Sequence, residues 1–414
     1  MRKAQRITVV LILLLMVVCF SLGFGAWSVA VNIFQAAGPP GSPTVKFIIR
    51  EGETTAQIGD DLEAQKLIRS ALAFRLWAKY EGLDRKLQAG AYNLSASMTI
   101  QKIVEVLLTA SPTELFVSIP EGFRVYQVAD LFAQKSQFTN FKQDDFIKIA
   151  TSGSYTDQTG KTVALSSQYW FLKHDPQGTG PAQFALEGFL FPSSYYIPQE
   201  ATAADIIKIM LTGLGEQLCP GPSNQPDAYV TNEQQCEAHG AVIDPATKVT
   251  FFDELKKHYS DADGKSIADK LYHALTLASI VERETRTHAS RQNVASIYYK
   301  RYLVSKGEIT DEPDSGLSLL QADPTLQYVL GDDKTPWPQL QQGGATYKLG
   351  PYDTYQTEGL PPSPICGPGQ DPLYSVVSPP DTPYYYFITD KDGNNHYANN
   401  YTEQQQNIAK YGTT

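Results

Sequence analysis

The sequence is short of positive charge. Its 414 residues include 34 Lys and Arg against 44 Asp and Glu, which gives a formal net charge of -10 at pH 7. A nucleic-acid-binding protein needs an excess of Lys and Arg, because these side chains neutralise the phosphate backbone. We therefore expect no nucleic-acid partner. The hydrophobic fraction of 42% still allows a chain of this length to bury more than one core.

The sequence also lacks the patterns of a metal site. It contains no C-x-x-C and no H-E-x-x-H, and its six histidines are scattered singly. We predict no metal and no cofactor. Only four cysteines are present, and Cys219 and Cys236 flank a stretch rich in Pro, Asn and Gln. Such a stretch is typical of a loop, and a disulfide between the two cysteines would stabilise it by ~3 kcal/mol.

Charge is absent from a long run near the N-terminus. Residues 7–29 carry no charged side chain, whereas Arg2, Lys3 and Arg6 precede them. At ~1.5 Å per residue the run can cross a ~30 Å hydrocarbon core. The basic residues before it predict a single transmembrane helix with a cytoplasmic N-terminus and the remaining chain outside. A cleaved signal peptide is the alternative, although its apolar core is usually only ~7 to 15 residues long.

Hydrophobic periodicity and turn residues predict a mixed α+β protein with a small module and a larger domain. In the small module the patterns run strand, helix, helix, strand and helix. The predicted parts are a cytoplasmic tail (1–6), the transmembrane helix (7–29), a linker (30–44), the small α+β module (45–112) and the larger α+β domain (113–414), with an insertion at about 217–248.

One helical pattern places a carboxyl group on an apolar face. Leu277, Ile280, Val281 and Glu284 follow the spacing i, i+3, i+4, i+7. Desolvation on that face disfavours the charged form and raises the pKa, which a proton donor near neutral pH requires. Glu282 lies about 200° around the helix. We expect it to be exposed and to form an i, i+4 ion pair with the residue at position 286.

Seven motifs with characteristic residues follow one another along the chain. They are IPEGFRV (119–125), LEGFLFPSSYYIP (186–198), LASIVERET (277–285), LQADPTLQY (320–328), PYDTY (351–355), GLPPSPI (359–365) and TPYYYFITD (382–390). In this order they resemble the motifs of the YceG-like family of endolytic murein transglycosylases, often called MltG. The resemblance covers nearly the whole chain after the uncharged run, and the small module is similar to the LysM-like domain of that family.

The resemblance implies a chemistry for Glu284, which matches the catalytic glutamate of the family. A lytic transglycosylase cleaves the β-1,4 bond between N-acetylmuramic acid and N-acetylglucosamine without water and leaves a 1,6-anhydromuramyl end. One carboxyl group serves as acid and then as base. Hydrolases of glycosides need two carboxyl groups, whereas here the substrate supplies its own nucleophile.

Other polar residues of the motifs are candidates for substrate binding. They are Glu187, which we expect in a wall of the cleft, and Glu282, Gln321, Asp323, Tyr352, Asp353 and Tyr355. For Asp323, which precedes a proline, a helix or turn cap is the alternative. Two positions depart from the family pattern, since the usual Asn is Asp353 and a usual His is Gln405.

Two other functions stay open at this point. A non-catalytic scaffold could bind peptidoglycan through the same fold, and a muramidase could use Glu284 with Asp323 and water. Carboxyl spacing, which separates the mechanisms, is a three-dimensional property. The expected partners are peptidoglycan glycan strands, the bacterial cell membrane that holds the N-terminal helix, and cell-wall elongation synthases that make nascent strands.

Overall fold

A computed structural model describes residues 34–49, 53–82, 90–109, 113–174, 184–220, 231–259, 266–285, 287–330 and 350–412. These ranges form a mixed α+β protein. Within them no helix is long and apolar enough to cross a membrane, and the helix predicted over residues 7–29 lies outside them. The predicted cytoplasmic tail also lies outside the described residues.

The strands are short and most are paired with a neighbour in sequence. In chain order they are β1 (Thr44–Ile49), β2 (Gly90–Ser95), β3 (Glu114–Ser118), β4 (Ser154–Thr156), β5 (Thr162–Ala164), β6 (Ser194–Pro198), β7 (Val242–Asp244), β8 (Val249–Thr250), β9 (Tyr386–Thr389) and β10 (Asn395–Ala398). One sheet has four strands in the order β1-β2-β3-β6, and three two-stranded ribbons pair β4 with β5, β7 with β8 and β9 with β10.

Helices make up most of the regular structure. In chain order they are α1 (Thr55–Ala64), α2 (Ala71–Glu81), α3 (Ile100–Thr109), α4 (Val125–Ala133), α5 (Gln143–Ser152), α6 (Ala203–Leu218), α7 (Glu233–Ala238), α8 (Phe251–His258), α9 (Ile267–Glu284), α10 (His288–Ser305), α11 (Asp323–Leu330), α12 (Gln370–Val377) and α13 (Tyr401–Tyr411). The chain divides into two compact units, one of residues 1–117 and 195–199 and one of residues 118–194 and 200–414.

The first unit packs three helices on one sheet. Its helices begin at polar caps: Thr54 forms a capping box with Gln57, and the Ser70 hydroxyl accepts from the Ala73 amide at the start of α2. The apolar faces of these helices pack against the sheet and form a single core with it. Its fully buried members include Phe47, Ile58, Leu62, Phe74, Leu94 and Ile103. The order of strands and helices in residues 45–112 is the predicted one.

The sheet of the first unit extends past the predicted domain boundary at residue 112. Strand β3, which lies within the predicted larger domain (113–414), pairs antiparallel with β2 through Gly90 and Leu115. Strand β6 then adds to β3. The backbone groups of a strand need hydrogen-bond partners on a neighbouring strand, and a sheet of only two strands would have marginal stability. The residues predicted as a linker also pack here, since the Gly38 amide donates to the Ala96 carbonyl at 2.7 Å.

The second unit is organised around α9. This helix starts at a capping box between Ser266 and Asp269 and is buried along most of its length from Ala268 to Val281. It packs against α10 and α12 and makes further contacts with α8 and α11. A segment from one motif, residues 359–365, covers it: the Tyr272 hydroxyl donates to the Pro362 carbonyl, and the Ile365 amide donates to the Ser279 hydroxyl. Glu284 is the last residue of α9, so its carboxyl group lies at the C-terminal end of the helix.

A disulfide joins Cys219, just after α6, to Cys236 in α7, with 5.0 Å between the Cα atoms. Near the end of the chain, β9 and β10 form a hairpin with Tyr386 opposite Ala398. Its turn is held by Asp390, whose carboxylate accepts hydrogen bonds from the amides of Asp392 and Asn394.

Candidate active site

A cavity of about 830 Å³ lies at the C-terminal end of α9, in the second unit. Four consecutive residues line it from that end, Glu282, Arg283, Glu284 and Thr285. The turn 121–123 and Gln127 of α4 form another part of the wall, and Gln327 of α11 adds to it. The tip of the β9–β10 hairpin, residues 389–393 with Asn395, also lines the cavity. Four chain segments distant in sequence therefore converge on the end of one helix.

Glu284 is partly buried and hydrogen-bonded at the edge of this cavity. The Tyr298 hydroxyl, from α10, donates to Glu284 Oε1 at 2.9 Å. The pKa of Glu284 is raised to about 8: burial is the largest cause and the negative charge of Asp323 adds to it, whereas the Tyr298 hydrogen bond and the Arg301 charge oppose it. The Glu284 carboxyl group is therefore largely protonated at neutral pH and can donate a proton.

Asp323 is the second carboxyl group whose pKa is raised here. It is the first residue of α11, and its Oδ1 accepts a 2.6 Å hydrogen bond from the Tyr355 hydroxyl. Burial raises the pKa of Asp323 to about 6, and the Tyr355 hydrogen bond opposes this shift. Because the pKa of Glu284 is the higher one, Asp323 ionises first and Glu284 keeps its proton. The position of Asp323 at a helix start fits the predicted cap as well as a role in the site.

A buried arginine holds the segment before α11. Arg301 of α10 is 6% exposed, and its guanidinium donates to the carbonyls of Leu319, Leu320 and Tyr385 and to Gln321 Oε1. These hydrogen bonds tie α10 to the loop that leads into Asp323. Sequence reasoning missed both Tyr298 and Arg301. Their i, i+3 spacing is a local signal that they share one face of the helix.

The structure corrects the prediction for Glu282. We expected an exposed ion pair with the arginine at position 286, which lies outside the described residues. Instead the Glu282 side chain is 7% exposed, and its Oε1 lies 2.9 Å from Arg291 Nη2. Its Oε2 accepts a 3.0 Å hydrogen bond from the Gly369 amide. The expectation of exposure was wrong because α10 and the segment before α12 cover this side of α9.

Arg291 stands among three carboxylates beside the cavity. It pairs with Asp371 at 3.1 Å and with Glu121 at 3.4 Å in addition to Glu282. Burial raises the pKa of Glu282, and the Gly369 amide and the Arg291 charge lower it. A side chain at Gly369 would bring its Cβ to 2.1 Å from Glu121 Oε1, so the Glu121 side chain would have to move to accommodate it.

The other predicted substrate-binding residues do not line this cavity within the described ranges. Glu187 is 2% exposed, and its two oxygens accept hydrogen bonds from the Val125 amide and the Tyr328 hydroxyl. The Tyr352 hydroxyl is 2.6 Å from Ser363 Oγ, in the protein interior. Asp353 accepts hydrogen bonds from its own turn, from the Tyr355 amide and the Gln356 side chain.

No group of His, Cys, Asp and Glu that could hold a metal ion occurs among the described residues. The family is decided by a match over most of the chain: residues 47–410 match the model of the YceG-like family. The chain belongs to the YceG-like family. The seven motifs found in the sequence all fall within the matched residues.

Curated relatives of this YceG-like chain are proteins named endolytic murein transglycosylase. The one from Bacillus subtilis (strain 168) is 26% identical over 94% of this chain and 90% of its own length. The one from Streptococcus pneumoniae serotype 2 is 26% identical over 88% of this chain, which spans only 57% of that relative. A crystal structure of a yceG-like protein from Listeria monocytogenes is 24% identical, with a TM-score of 0.45, over 88% of this chain and 99% of that one.

Proposed function

We propose that this protein is an endolytic murein transglycosylase in which Glu284 is both general acid and general base. The observation that carries the proposal is the state of Glu284 at the cavity edge, where its pKa is raised to about 8 and Tyr298 holds one of its oxygens. A carboxyl group in that state can donate a proton near neutral pH. The names of the curated relatives support the same activity.

The first step is protonation of the leaving group. Glu284 gives its proton to the oxygen that links N-acetylmuramic acid to N-acetylglucosamine, and the bond from the muramyl C1 to that oxygen breaks with its electron pair on the oxygen. The charge of Asp323 keeps Glu284 protonated until this step. Loss of the proton then leaves a carboxylate, which Tyr298 and Arg301 stabilise.

The second step uses the new carboxylate as base. Glu284 removes the proton of the muramyl C6 hydroxyl while that oxygen attacks C1, so the ring closes to a 1,6-anhydro end and Glu284 recovers its proton. No water is consumed. Because the substrate supplies the nucleophile, one carboxyl group with a raised pKa is sufficient.

The proposal includes the setting of the reaction. The uncharged run of residues 7–29 anchors the chain in the bacterial cell membrane with the domains outside, and the first unit is the LysM-like module. An enzyme tethered there meets nascent, lipid-linked strands beside the elongation synthases and limits strand length. Strand lengths in cells that express the full chain, compared with cells that export residues 34–414 without the anchor, test this. Equal lengths would refute the tethering role.

The reaction itself is tested by mass spectrometry of the glycan ends released from purified, uncrosslinked strands. The full chain should release 1,6-anhydromuramyl ends, and Glu284→Gln should release almost none. The coupling of Glu284 to Asp323 favours a hydrolytic muramidase as the second candidate. Reducing N-acetylmuramic acid ends, heavier by one water, would show that candidate to be correct. No cleavage by the folded protein would favour the non-catalytic scaffold.

A further inference from the structure

An apolar stripe is exposed along α2 of the first unit. Leu72, Leu76 and Tyr80 are 65%, 60% and 79% exposed, which is unusual for side chains of this size. Their i, i+4, i+8 spacing places them on one face of the helix. The opposite face, with Ala73, Phe74 and Ala78, is buried in the core. The helix is therefore fixed in orientation by its core face and presents a second apolar face outward.

Positive charge is concentrated in and just before α2, in a chain that is acidic overall. The described residues 65–82 contain four Lys or Arg and one Asp or Glu, whereas the whole chain has a net charge of -10. Lys79 is exposed on the same side of α2 as the stripe. A helix with an outward apolar face and basic flanks is typical of a segment that lies in a membrane interface, because anionic headgroups attract Lys and Arg while the apolar side chains enter the acyl boundary.

Chain connectivity places α2 close to the proposed anchor. The uncharged run ends near residue 29, and Phe34 packs against Trp77 of α2 with ring centroids 6.1 Å apart. Trp77 in turn contacts Tyr80, the last residue of the stripe, at 5.6 Å. Five residues of extended chain span at most roughly 17 Å. Phe34 and the helix it contacts must then lie within that distance of the membrane surface.

We propose that the α2 face formed by Leu72, Leu76 and Tyr80 docks on the lipid bilayer, with the basic residues around it at the headgroups. The proposal rests on the proposed membrane anchor. Lipid is the favoured occupant, since the proposed anchor holds the face beside the membrane and the basic residues match its anionic surface. Docking would fix the orientation of the first unit against the membrane that produces the nascent strands.

Spin labels on the full chain in vesicles test this docking. Leu76→Cys and the matched control Lys102→Cys, exposed on α3, are each labelled in a Cys19→Ser background, because Cys366 is buried and the other two cysteines form the disulfide. The protein is reconstituted in vesicles of equal parts phosphatidylethanolamine and phosphatidylglycerol. We expect the label at position 76 to be at least severalfold more accessible to oxygen than to a water-soluble nickel complex, and the label at position 102 to show the reverse.

Each of the other outcomes would overturn the proposal and would show why it fails. Equal, water-like accessibility at both positions would mean that the face is solvated. A label at position 76 that is shielded from both reagents would mean that protein covers the face, either the segment before residue 34 or another chain. Loss of the protein from the vesicles in an alkaline wash would refute the anchor as well. Docking can fail while anhydro ends are still released, so this result is distinct from failure of the proposed activity.

Discussion

The Tyr298 hydroxyl donates to Oε1 of Glu284 at 2.9 Å, so the two oxygens of that carboxyl group are not equivalent. An oxygen that accepts from a hydroxyl is the poorer place for the carboxyl proton. The protonated form of Glu284 therefore carries its proton on Oε2, and in the proposed mechanism Oε2 is the atom that exchanges it with substrate. Tyr298 is in this sense a positioning residue for the reacting group.

Replacing Tyr298 with phenylalanine removes that donor and little else. Its hydrogen bond stabilises the carboxylate and lowers the pKa of Glu284. In Tyr298→Phe the pKa should rise above about 8, so the alkaline limb of kcat/KM against pH should move to higher pH. A net hydrogen bond contributes ~1 kcal/mol, so we expect the rate at neutral pH to fall roughly fivefold.

The matched control is Tyr302→Phe, one turn further along α10, whose hydroxyl contacts His273 instead of Glu284. It removes the same atom from the same helix and should leave the alkaline limb in place. If both variants lose rate equally with an unmoved limb, Tyr298 is only a packing residue and the assignment of the proton to Oε2 fails.

Asp323→Asn should move the alkaline limb of kcat/KM against pH to lower pH, opposite to the shift expected for Tyr298→Phe. The Asp323 charge raises the pKa of Glu284, and an amide keeps the oxygen that accepts from Tyr355 while removing the charge. The pKa of Glu284 should fall, and the rate should begin to decline at lower pH than in the wild type. The measurement is again kcat/KM against pH. A complete loss of activity at every pH would instead indicate that Asp323 reacts with substrate.

The helix of Glu284 and the burial of its apolar face were predictable from the sequence. Leu277, Ile280 and Val281 are fully buried as their periodicity indicated, and the pKa of Glu284 is raised by the burial that this face predicts. Local periodicity is sufficient here because the helix is long and its core face is continuous. The capped helices of the first unit and the C-terminal hairpin were predictable for the same reason, since caps and a DG turn are local signals.

Contacts between side chains that are distant in the sequence were not predictable. Glu282 is covered by Arg291 and Gly369, which lie 9 and 87 residues away in the sequence. Tyr298 and Arg301 reach the site because α10 packs against α9, and helix periodicity does not specify which helix faces which. The strand pairing of β3 with β2 is likewise non-local, so a boundary set by composition at residue 112 fell inside the sheet.

Glu284→Gln and Glu282→Gln should separate catalysis from structure. Glu284→Gln keeps a hydrogen-bond acceptor for Tyr298 but has no transferable proton, so cleavage should fall about 10²- to 10⁴-fold with little change in folding. Glu282→Gln leaves Arg291 with Asp371 and Glu121 as partners, so it should lower thermal stability while most of the cleavage rate remains. Rates on uncrosslinked glycan and melting by circular dichroism measure the two effects.

The reverse pattern would show that Glu282 is the reacting group. A glutamine at position 282 would then abolish cleavage, and the protein with glutamine at position 284 would stay active. Because both side chains line the same cavity, position alone does not decide between them. Burial raises the pKa of both carboxyl groups, but the Gly369 amide and the Arg291 charge oppose the rise at Glu282, whereas the Asp323 charge adds to it at Glu284, whose pKa is raised to about 8.

Glu187 should make the stability of the second unit depend on pH. Burial raises the pKa of Glu187 to about 8, and the Val125 amide, the Arg124 charge and the Tyr328 hydroxyl only partly oppose this. In the unfolded chain the group titrates near 4.5. Between these two values the folded state holds a proton that the unfolded state has lost, so stability falls as pH rises through that window. Below pH 4.5 both states are protonated and the effect is absent.

Glu187→Gln fills the same space but cannot ionise, and its amide oxygen can still accept from the Val125 amide. The variant should therefore become more stable relative to the wild type as pH rises from about 5 to about 8, by up to ~1.4 kcal/mol per pH unit. Thermal unfolding of both proteins at several pH values measures the difference in stability. The contribution of Glu284 cancels in this difference because both proteins retain Glu284. A difference independent of pH would mean that Glu187 is ionised in the folded protein, held by Arg124, and that the α4 start is stabilised by a buried ion pair.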